Sequence, residues 1–183
     1  MKIITGLTGA SGAIFGVEFL KLCPGEKYLI VSRWGKSVLA QELGQTLEDL
    51  APCTKKVFSN DDLSSPFASG SNAFDAMVIV PCSVSTLSKI ACGIADSLMT
   101  RAAAVALKER RKLILCLRET PLSTVVIENM LKLSHAGAIV MPVSPPFYQD
   151  ARELRDLARL FAERIVQLID PQFMATGWRE EAL

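Results

Sequence analysis

The sequence predicts an α/β fold with a doubly wound, mainly parallel sheet and helices on both faces. Four apolar runs rich in β-branched residues lie at 2–7, 27–32, 76–82 and 112–117, and a shorter run lies at 138–142. Their apolar residues are continuous rather than alternating, which is typical of parallel strands covered on both faces. Helical patterns separate the runs. This alternation of strand and helix predicts a three-layer sandwich of the Rossmann or flavodoxin-like type.

The chain fits a single domain over residues 1–183, and it contains no internal repeat. The predicted helices cover residues 12–22, 34–43, 84–91, 97–110, 123–135 and 150–168. The stretch 44–72 is polar and holds Pro, Ser, Gly and Asp. We therefore expect a long loop there, with a helical turn or two, and loops of that length are often functional.

Composition narrows the classes of function. Half of the residues are hydrophobic and the mean hydropathy is +0.30, so we expect a homo-oligomer that buries apolar surface between subunits. No run of about 18 apolar residues occurs, which argues against a membrane span. A net charge of +1 without a basic tail argues against nucleic-acid binding. Five cysteines without a CxxC motif indicate free thiols in the cytoplasm, and a single histidine argues against a metal site.

The loops after the strands are the candidates for a binding site, because doubly wound sheets bind ligands outside the carboxyl ends of their strands. Each of these loops is polar, rich in small residues, or rich in proline. They read TGASG (8–12), SRWGK (32–36), CSVST (82–86), RETPLS (118–123) and SPPFY (144–148). We expect the five loops to form one cleft at one edge of the sheet.

The first loop allows two interpretations. Gly9 permits close approach of a ligand to the backbone, and Ser11 can cap a helix beginning at Gly12. The helix start would then offer amides to an anion or to the edge of a flavin. A plain turn with a capping serine fits the same residues.

Hydroxyl groups crowd the helix start after the third strand. Ser83, Ser85 and Thr86 exceed the one hydroxyl that capping needs, so they could hold a phosphate or a ribityl chain, or simply cap. Ser32, at the end of the second strand, is open to both interpretations. We expect Cys82 to serve packing, because no base lies near it in sequence.

Charged residues at the later loops are candidates for chemistry. Arg118 can bind a phosphate or carbonyl, and Glu119 can act as acid or base, unless the two form a loop salt bridge. Arg101 and Lys108 lie seven residues apart on one predicted helix, where a solvated basic face is the simpler interpretation. Glu42 ends a helix and could be merely exposed.

The last loop and the helix after it supply two further candidates. Tyr148 follows two prolines, and Arg164 lies sixteen residues further on, so the two need not touch within one chain. A neighbouring subunit could bring them together. His135 closes a helix before Gly137, and we interpret it as a partner of that helix's negative end.

Taken together, these loops resemble the UbiX-type flavin prenyltransferases. The resemblance runs from residue 3 to about 168. It is specific because several motifs occur together, whereas any one of them alone would be weak. It rests on GASGA, PCS-x-x-T, D-x-L-x-x-RAA, LKERR-x-L-x-L-x-x-RE-x-PL and P-x-FY. Phe15 stands where relatives often carry Tyr, and Trp178 lies near the family's C-terminal Trp-Arg pair.

The resemblance implies a function and a set of site residues. Members join the dimethylallyl group of dimethylallyl phosphate to FMN at N5 and C6, form dodecamers with sites between subunits, and supply prenylated FMN to UbiD-type decarboxylases. The positions that match FMN contacts are Gly9, Ala10, Ser11, Ser32, Ser83, Val84, Ser85, Thr86 and Arg118. Those that match donor-phosphate contacts are Tyr148 and Arg164, aided by Arg101 and Lys108. Glu42 and Glu119 match active-site carboxylates, and Ser11 with Glu119 resembles the pair that handles protons near N5.

Other flavoprotein classes fit the sequence less well. FMN-dependent cysteine decarboxylases need a histidine in the first helical region and a P-x-M-N-x-x-M-W motif, and this chain has neither. Flavodoxin-type carriers have a T-x-T-G-x-T loop, and pyridine-nucleotide enzymes have G-x-G-x-x-G with a downstream acid. Neither pattern occurs here. A direct decarboxylase of 4-hydroxybenzoate derivatives is an older description of the family resembled.

Overall fold

The computed structural model describes residues 1–175 and 177. Within them, six strands form one sheet in the order β3-β2-β1-β4-β5-β6, and every neighbouring pair is parallel. The strands are β1 (Lys2–Leu7), β2 (Glu26–Val31), β3 (Lys56–Ser59), β4 (Ala76–Cys82), β5 (Lys112–Leu117) and β6 (Ile139–Val140). The chain runs outward from β1 to β3 and then returns to place β4 beside β1. The order of strands therefore reverses between β1 and β4, where such sheets open a crevice for ligands.

Helices cover both faces of the sheet. They are α1 (Ala13–Leu22), α2 (Arg33–Leu43), α3 (Leu47–Leu50), α4 (Val84–Ala91), α5 (Leu98–Lys108), α6 (Thr124–His135) and α7 (Leu154–Ile169). One face packs against α1, α2 and α7, with Phe19 and Phe161 almost fully buried. The other packs against α4, α5 and α6, with Leu87 and Leu98 fully buried. This arrangement confirms the predicted doubly wound three-layer fold.

The apolar runs predicted the strands because burial on both faces requires continuous apolar sequence. All seven residues of β4 are buried, and its bounds, like those of β1 and β5, are the predicted ones. The fifth run is shorter than predicted, since only 139–140 pair with β5. The last helix begins at Leu154 rather than at 150, because Glu153 and Asp156 form a capping box that sets its start.

The stretch 44–72 is more ordered than the predicted loop. It contains α3, two short 3-10 turns and strand β3, which pairs with β2 at the sheet edge. Only Phe58 of β3 is buried, while Lys56 and Ser59 are exposed. An edge strand with one buried side chain leaves no apolar run in the sequence, so the pattern did not reveal it. None of the helices in the described part of the chain is both long and apolar enough to cross a membrane.

Candidate active site

The loops after β1 and β4 are joined by a hydroxyl group at the point where the strand order reverses. The Thr8 hydroxyl donates to the Pro81 carbonyl at 2.7 Å and accepts from the Ser83 amide at 2.9 Å. The Ser83 hydroxyl in turn caps α4, accepting from the Thr86 amide at 3.4 Å, and donates to the Thr86 hydroxyl at 3.1 Å. Capping therefore uses Ser83 and part of Thr86, and it leaves the exposed Ser85 available to a ligand.

A cavity of about 430 Å³, here called the hydroxyl cavity, opens between these loops. It brings together five of the predicted residues: Gly9, Ser32, Ser83, Ser85 and Thr86. Its remaining lining consists of Trp34, Asn60, Asp61, Lys89, Asp96, Ser97, Met99 and Thr100. Sequence reasoning missed this second group, although Lys89 lies one helical turn after Ser85, a spacing that places both on one face.

A second cavity, of about 490 Å³, is lined by the end of the 8–12 loop and is here called the Glu42–Arg118 cavity. Ser11, Glu42 and Arg118 line it together with apolar side chains. The Glu42 carboxylate accepts hydrogen bonds from the amides of Gly12 (2.9 Å) and Ala13 (2.9 Å). Glu42 is thus not merely exposed at the end of a helix: it holds the first amides of α1.

This contact corrects the predicted role of Ser11 in capping. Gly12 occupies the N-cap position with a φ of 102°, and no local side chain caps α1. The amides at this helix start are bound instead by Glu42 of α2. The Ser11 side chain is exposed and faces the Glu42–Arg118 cavity instead.

A third cavity, of about 300 Å³, contains both Tyr148 and Arg164 and is here called the Tyr148–Arg164 cavity. Their spacing in sequence left contact within one chain open, and the fold brings them to one cavity without a second subunit. Phe15 lines the second cavity and Phe161 the third, and their rings meet edge-on at a centroid distance of 5.3 Å. The five loops thus contribute to three cavities, and these two rings connect the walls of the second and third.

Other predicted residues lie outside the linings of these three cavities. The Arg101 guanidinium donates through Nε to the Ala68 carbonyl at 2.9 Å, and Lys108 forms an ion pair with Glu109. Lys108 ends α5, eight residues beyond Thr100, the last α5 residue that lines the hydroxyl cavity, and so about 12 Å from it along the helix axis. Glu119 is exposed, and its carboxylate accepts from the Thr120 amide at 2.9 Å.

The remaining predicted positions have simpler surroundings. No ion pair joins Arg118 to Glu119 in the described chain, so the loop salt bridge considered for them is not formed there. Ala10 is buried, Val84 is half-buried at the start of α4, and His135 is exposed in the last turn of α6. Trp178 lies outside the described residues.

The surroundings of two residues near the hydroxyl cavity shift their pKa values, one through burial and the other through a hydrogen bond. Burial raises the pKa of the Cys82 thiol to about 12, which fits the packing role predicted for this residue. A hydrogen bond from Lys89 lowers the pKa of the Asp96 carboxyl below its ordinary value. Among the described residues, no three His, Cys, Asp or Glu side chains are grouped so that they could hold a metal ion.

Comparison with known proteins assigns the chain to a family. Residues 1–170 match the family described as Flavoprotein. The flavin prenyltransferase UbiX of Thermoplasma acidophilum is 46% identical over 170 residues, which cover 92% of this chain and 94% of that protein. The chain belongs to the UbiX family of flavin prenyltransferases.

Two solved structures of UbiX-like proteins share the fold closely. AnUbiX (PadA1), in complex with FMN and dimethylallyl pyrophosphate, has a TM-score of 0.91 and 36% identity over 97% of this chain and 98% of that one. A dodecameric FMN-dependent UbiX-like decarboxylase from Escherichia coli O157:H7 has a TM-score of 0.89 and 37% identity, over 96% of this chain and 100% of that chain.

Proposed function

We propose that this UbiX family member transfers a dimethylallyl group from dimethylallyl phosphate to N5 and C6 of reduced FMN, making prenylated FMN. The observation that carries the proposal is that two of the cavities differ in the chemistry of their linings. A hydroxyl-rich cavity and a cavity with a carboxylate and a guanidinium adjoin at the 8–12 loop, where the strand order reverses. A flavin has a polar phosphorylated tail and a flat ring, and the two cavities supply a place for each.

The flavin is proposed to bind across the 8–12 loop. Its contacts are Gly9, Ala10, Ser11, Ser32, Ser83, Val84, Ser85, Thr86 and Arg118. Hydroxyls and α4 amides suit the ribityl chain and phosphate, because both offer hydrogen bonds to oxygen. Arg118 suits a ring carbonyl or the phosphate, since its fork donates two parallel hydrogen bonds.

The prenyl donor is proposed to bind near Tyr148 and Arg164. Breaking the allylic C–O bond leaves the electron pair on phosphate, and cations aimed at that growing charge lower the barrier. Arg164 supplies one such cation, and Lys108 and Arg101 supply others. Because Lys108 and Arg101 lie away from the Tyr148–Arg164 cavity, we propose that they act in the site of a neighbouring subunit.

Proton handling is proposed for three side chains. The bond to N5 replaces the proton on that nitrogen. The bond to C6 consumes the prenyl double bond: one alkene carbon gains a proton, the other bonds C6, and C6 then loses its own proton. Ser11 and Glu119 are the pair proposed to accept and return protons near N5. Glu42 is proposed as a further active-site carboxylate, beside Ser11 in the Glu42–Arg118 cavity. The apolar lining there, with Phe15 among its residues, keeps water from the allylic cation.

The proposal includes an oligomeric state, a recipient for the product and a cellular location. A homododecamer would cover apolar side chains that are exposed in the single chain, among them Trp34 (67% exposed), Leu131 (56%) and Phe147 (79%). The product would pass to a UbiD-type decarboxylase. A cytoplasmic location fits the five cysteines, all of which are free thiols.

Anaerobic incubation of the purified protein with reduced FMN and dimethylallyl phosphate tests the function. Mass spectrometry of the extracted flavin should show FMN that has gained one five-carbon prenyl group. A parallel reaction with the diphosphate identifies the preferred donor. Flavin of unchanged mass with both donors contradicts the proposal.

Two variants assign the roles within that assay. Arg118→Ala should weaken FMN binding about tenfold, the effect of losing a charge-assisted hydrogen bond. Glu119→Gln keeps the shape of the side chain and should slow product formation at unchanged FMN affinity. Glu128→Gln, on the exposed part of α6, is the matched control and should change neither quantity.

A further inference from the structure

Lys89 stands out among the residues around the hydroxyl cavity because of its charge. It lies on α4 one turn after Ser85, and both side chains line the cavity. Lys89 thus shares one cavity with the hydroxyl groups of Ser83 and Thr86 at the start of α4.

The other charges on the cavity wall are negative. The lining contains the carboxylates of Asp61 and Asp96, and Lys89 is the one basic side chain among the described residues that form it. The hydroxyls of Ser32, Ser85 and Thr86 provide hydrogen bonds but no charge. A phosphate monoester carries nearly two negative charges at neutral pH. Without Lys89, the only charged side chains on the described cavity wall would be two carboxylates, which repel it.

Asp96 contacts the ammonium directly. The Lys89 Nζ lies 2.6 Å from the Asp96 carboxylate, and the two side chains are 45% and 50% exposed. An ion pair of this exposure is weak, so exchanging the carboxylate for a bound phosphate costs little. In the absence of phosphate this ion pair keeps the ammonium at the cavity wall.

We propose that Lys89 is the residue by which this site selects FMN over unphosphorylated riboflavin, and that Asp96 pairs with its ammonium until the phosphate displaces the carboxylate. The inference rests on the proposed function, because it assigns the flavin phosphate to the hydroxyl cavity. The proposed role of Lys89 is in flavin specificity: it binds the phosphate and takes no part in prenyl transfer.

Binding titrations with two flavins separate this role from a general structural one. FMN and riboflavin are titrated into the full-length protein, and the quenching of flavin fluorescence gives both dissociation constants. Lys89→Met should weaken FMN binding about tenfold and leave riboflavin binding unchanged. Asp96→Asn should strengthen FMN binding about twofold to fivefold, since it removes the carboxylate that competes with the phosphate for Lys89. Lys89→Arg keeps the charge and should retain the preference for FMN.

Lys55→Met is the matched control. It breaks an ion pair of similar exposure, that of Lys55 with Glu26 between β2 and β3, outside the hydroxyl cavity. This variant should leave both dissociation constants unchanged. If Lys89→Met weakens both flavins equally or neither, or if the wild-type protein does not prefer FMN, the inference is wrong.

The outcomes also separate this inference from the proposed function. A wild-type protein that prefers FMN through Lys89 yet never prenylates it contradicts the proposed function alone. A protein that prenylates FMN with no change in flavin preference in Lys89→Met contradicts the inference alone. A wild-type protein that fails to bind FMN contradicts both.

Discussion

Glu42 does for α1 what a neighbouring serine does for other helices of this protein. Ser32, Ser83 and Ser123 each accept a hydrogen bond from an amide three residues further along the chain. The first amides of α1 instead donate to a carboxylate on another helix, thirty residues away in sequence. A carboxylate at the positive end of a helix is stabilising, and here it also joins α1 to α2.

Replacing Glu42 with Ala should therefore lower the free energy of unfolding by about 1 kcal/mol, the usual cost of a lost N-cap. Urea denaturation followed by circular dichroism measures the change. Gln41→Ala, at the adjacent exposed position of α2, is the control and should have little effect. Equal unfolding free energies for the two variants would show that the cap contributes nothing.

Single residues also show where sequence reasoning about the site ends. The small and hydroxylated residues after β1, β2 and β4 were predictable, since parallel strands deliver their following loops to one edge. Glu42 was predictable only through family resemblance, because a cap between remote helices has no local pattern. Arg101 and Lys108 lie outside the three cavity linings, which their spacing on one predicted helix face could not show.

At the scale of elements, α1 packs unusually close to β4. A Cβ added to Gly16 would lie 2.4 Å from the Val80 carbonyl oxygen and 3.3 Å from the Leu7 Cγ. A carbonyl of a central, fully buried strand has no room to move. The glycine thus sets the distance between the helix and the sheet, and with it the position of Phe15 at the wall of the Glu42–Arg118 cavity.

Gly16→Ala should destabilise the protein by about 2 kcal/mol, the cost of overpacking a core contact. In an unconstrained helix interior the same substitution stabilises by about 0.5–1 kcal/mol, because glycine loses more backbone entropy on folding. The sign of the change in unfolding free energy, measured by thermal or urea denaturation, therefore shows whether overpacking outweighs the entropy gain. A more stable variant would mean that α1 can shift away from Val80 at no cost.

Elements were predicted best where both faces are buried. The bounds of β1, β4 and β5 and of helix α4 follow from continuous apolar or amphipathic runs and from the loops between them. The edge strand β3 was missed because its one buried residue, Phe58, forms no pattern. The start of α7 was displaced by a capping box of two acidic residues, Glu153 and Asp156, which the apolar periodicity does not include.

At the scale of the whole molecule, the two covered faces of the sheet bury cysteines as ordinary apolar residues. Cys82 packs on the α4–α6 side, and Cys23 and Cys116 pack on the α1–α7 side. Burial raises the pKa of Cys23 to about 11 and that of Cys82 to about 12, and it raises the pKa of Cys116 well above its ordinary value. The folded protein therefore favours the protonated thiols.

This burial predicts a loss of stability at alkaline pH. Below the ordinary thiol pKa of 9.0, Cys23 is protonated in both the folded and unfolded chain, and its contribution to stability is complete. As the pH rises from there through about 11, the unfolded chain gives up the proton first, so the free energy of unfolding falls. Urea titrations across this range measure the decline.

Two variants identify the thiol contribution within that decline. Cys23→Ala should make the fall in unfolding free energy less steep, whatever its effect on stability at neutral pH. Cys92→Ser, at an exposed position, should leave the slope as it is in the wild-type protein. Identical slopes for Cys23→Ala and the wild-type protein would mean that another group causes the alkaline loss.

The carboxylate at the start of α1 has a consequence for the direction in which a ligand can enter. Of the two helices that begin beside the reversal in strand order, α1 already has its positive end neutralised, whereas α4 is capped only by the uncharged Ser83 hydroxyl. A dianionic group is repelled at the first and attracted at the second. The charges at these two helix starts therefore favour one orientation for a long ligand over the central strands, with its charged end beside α4.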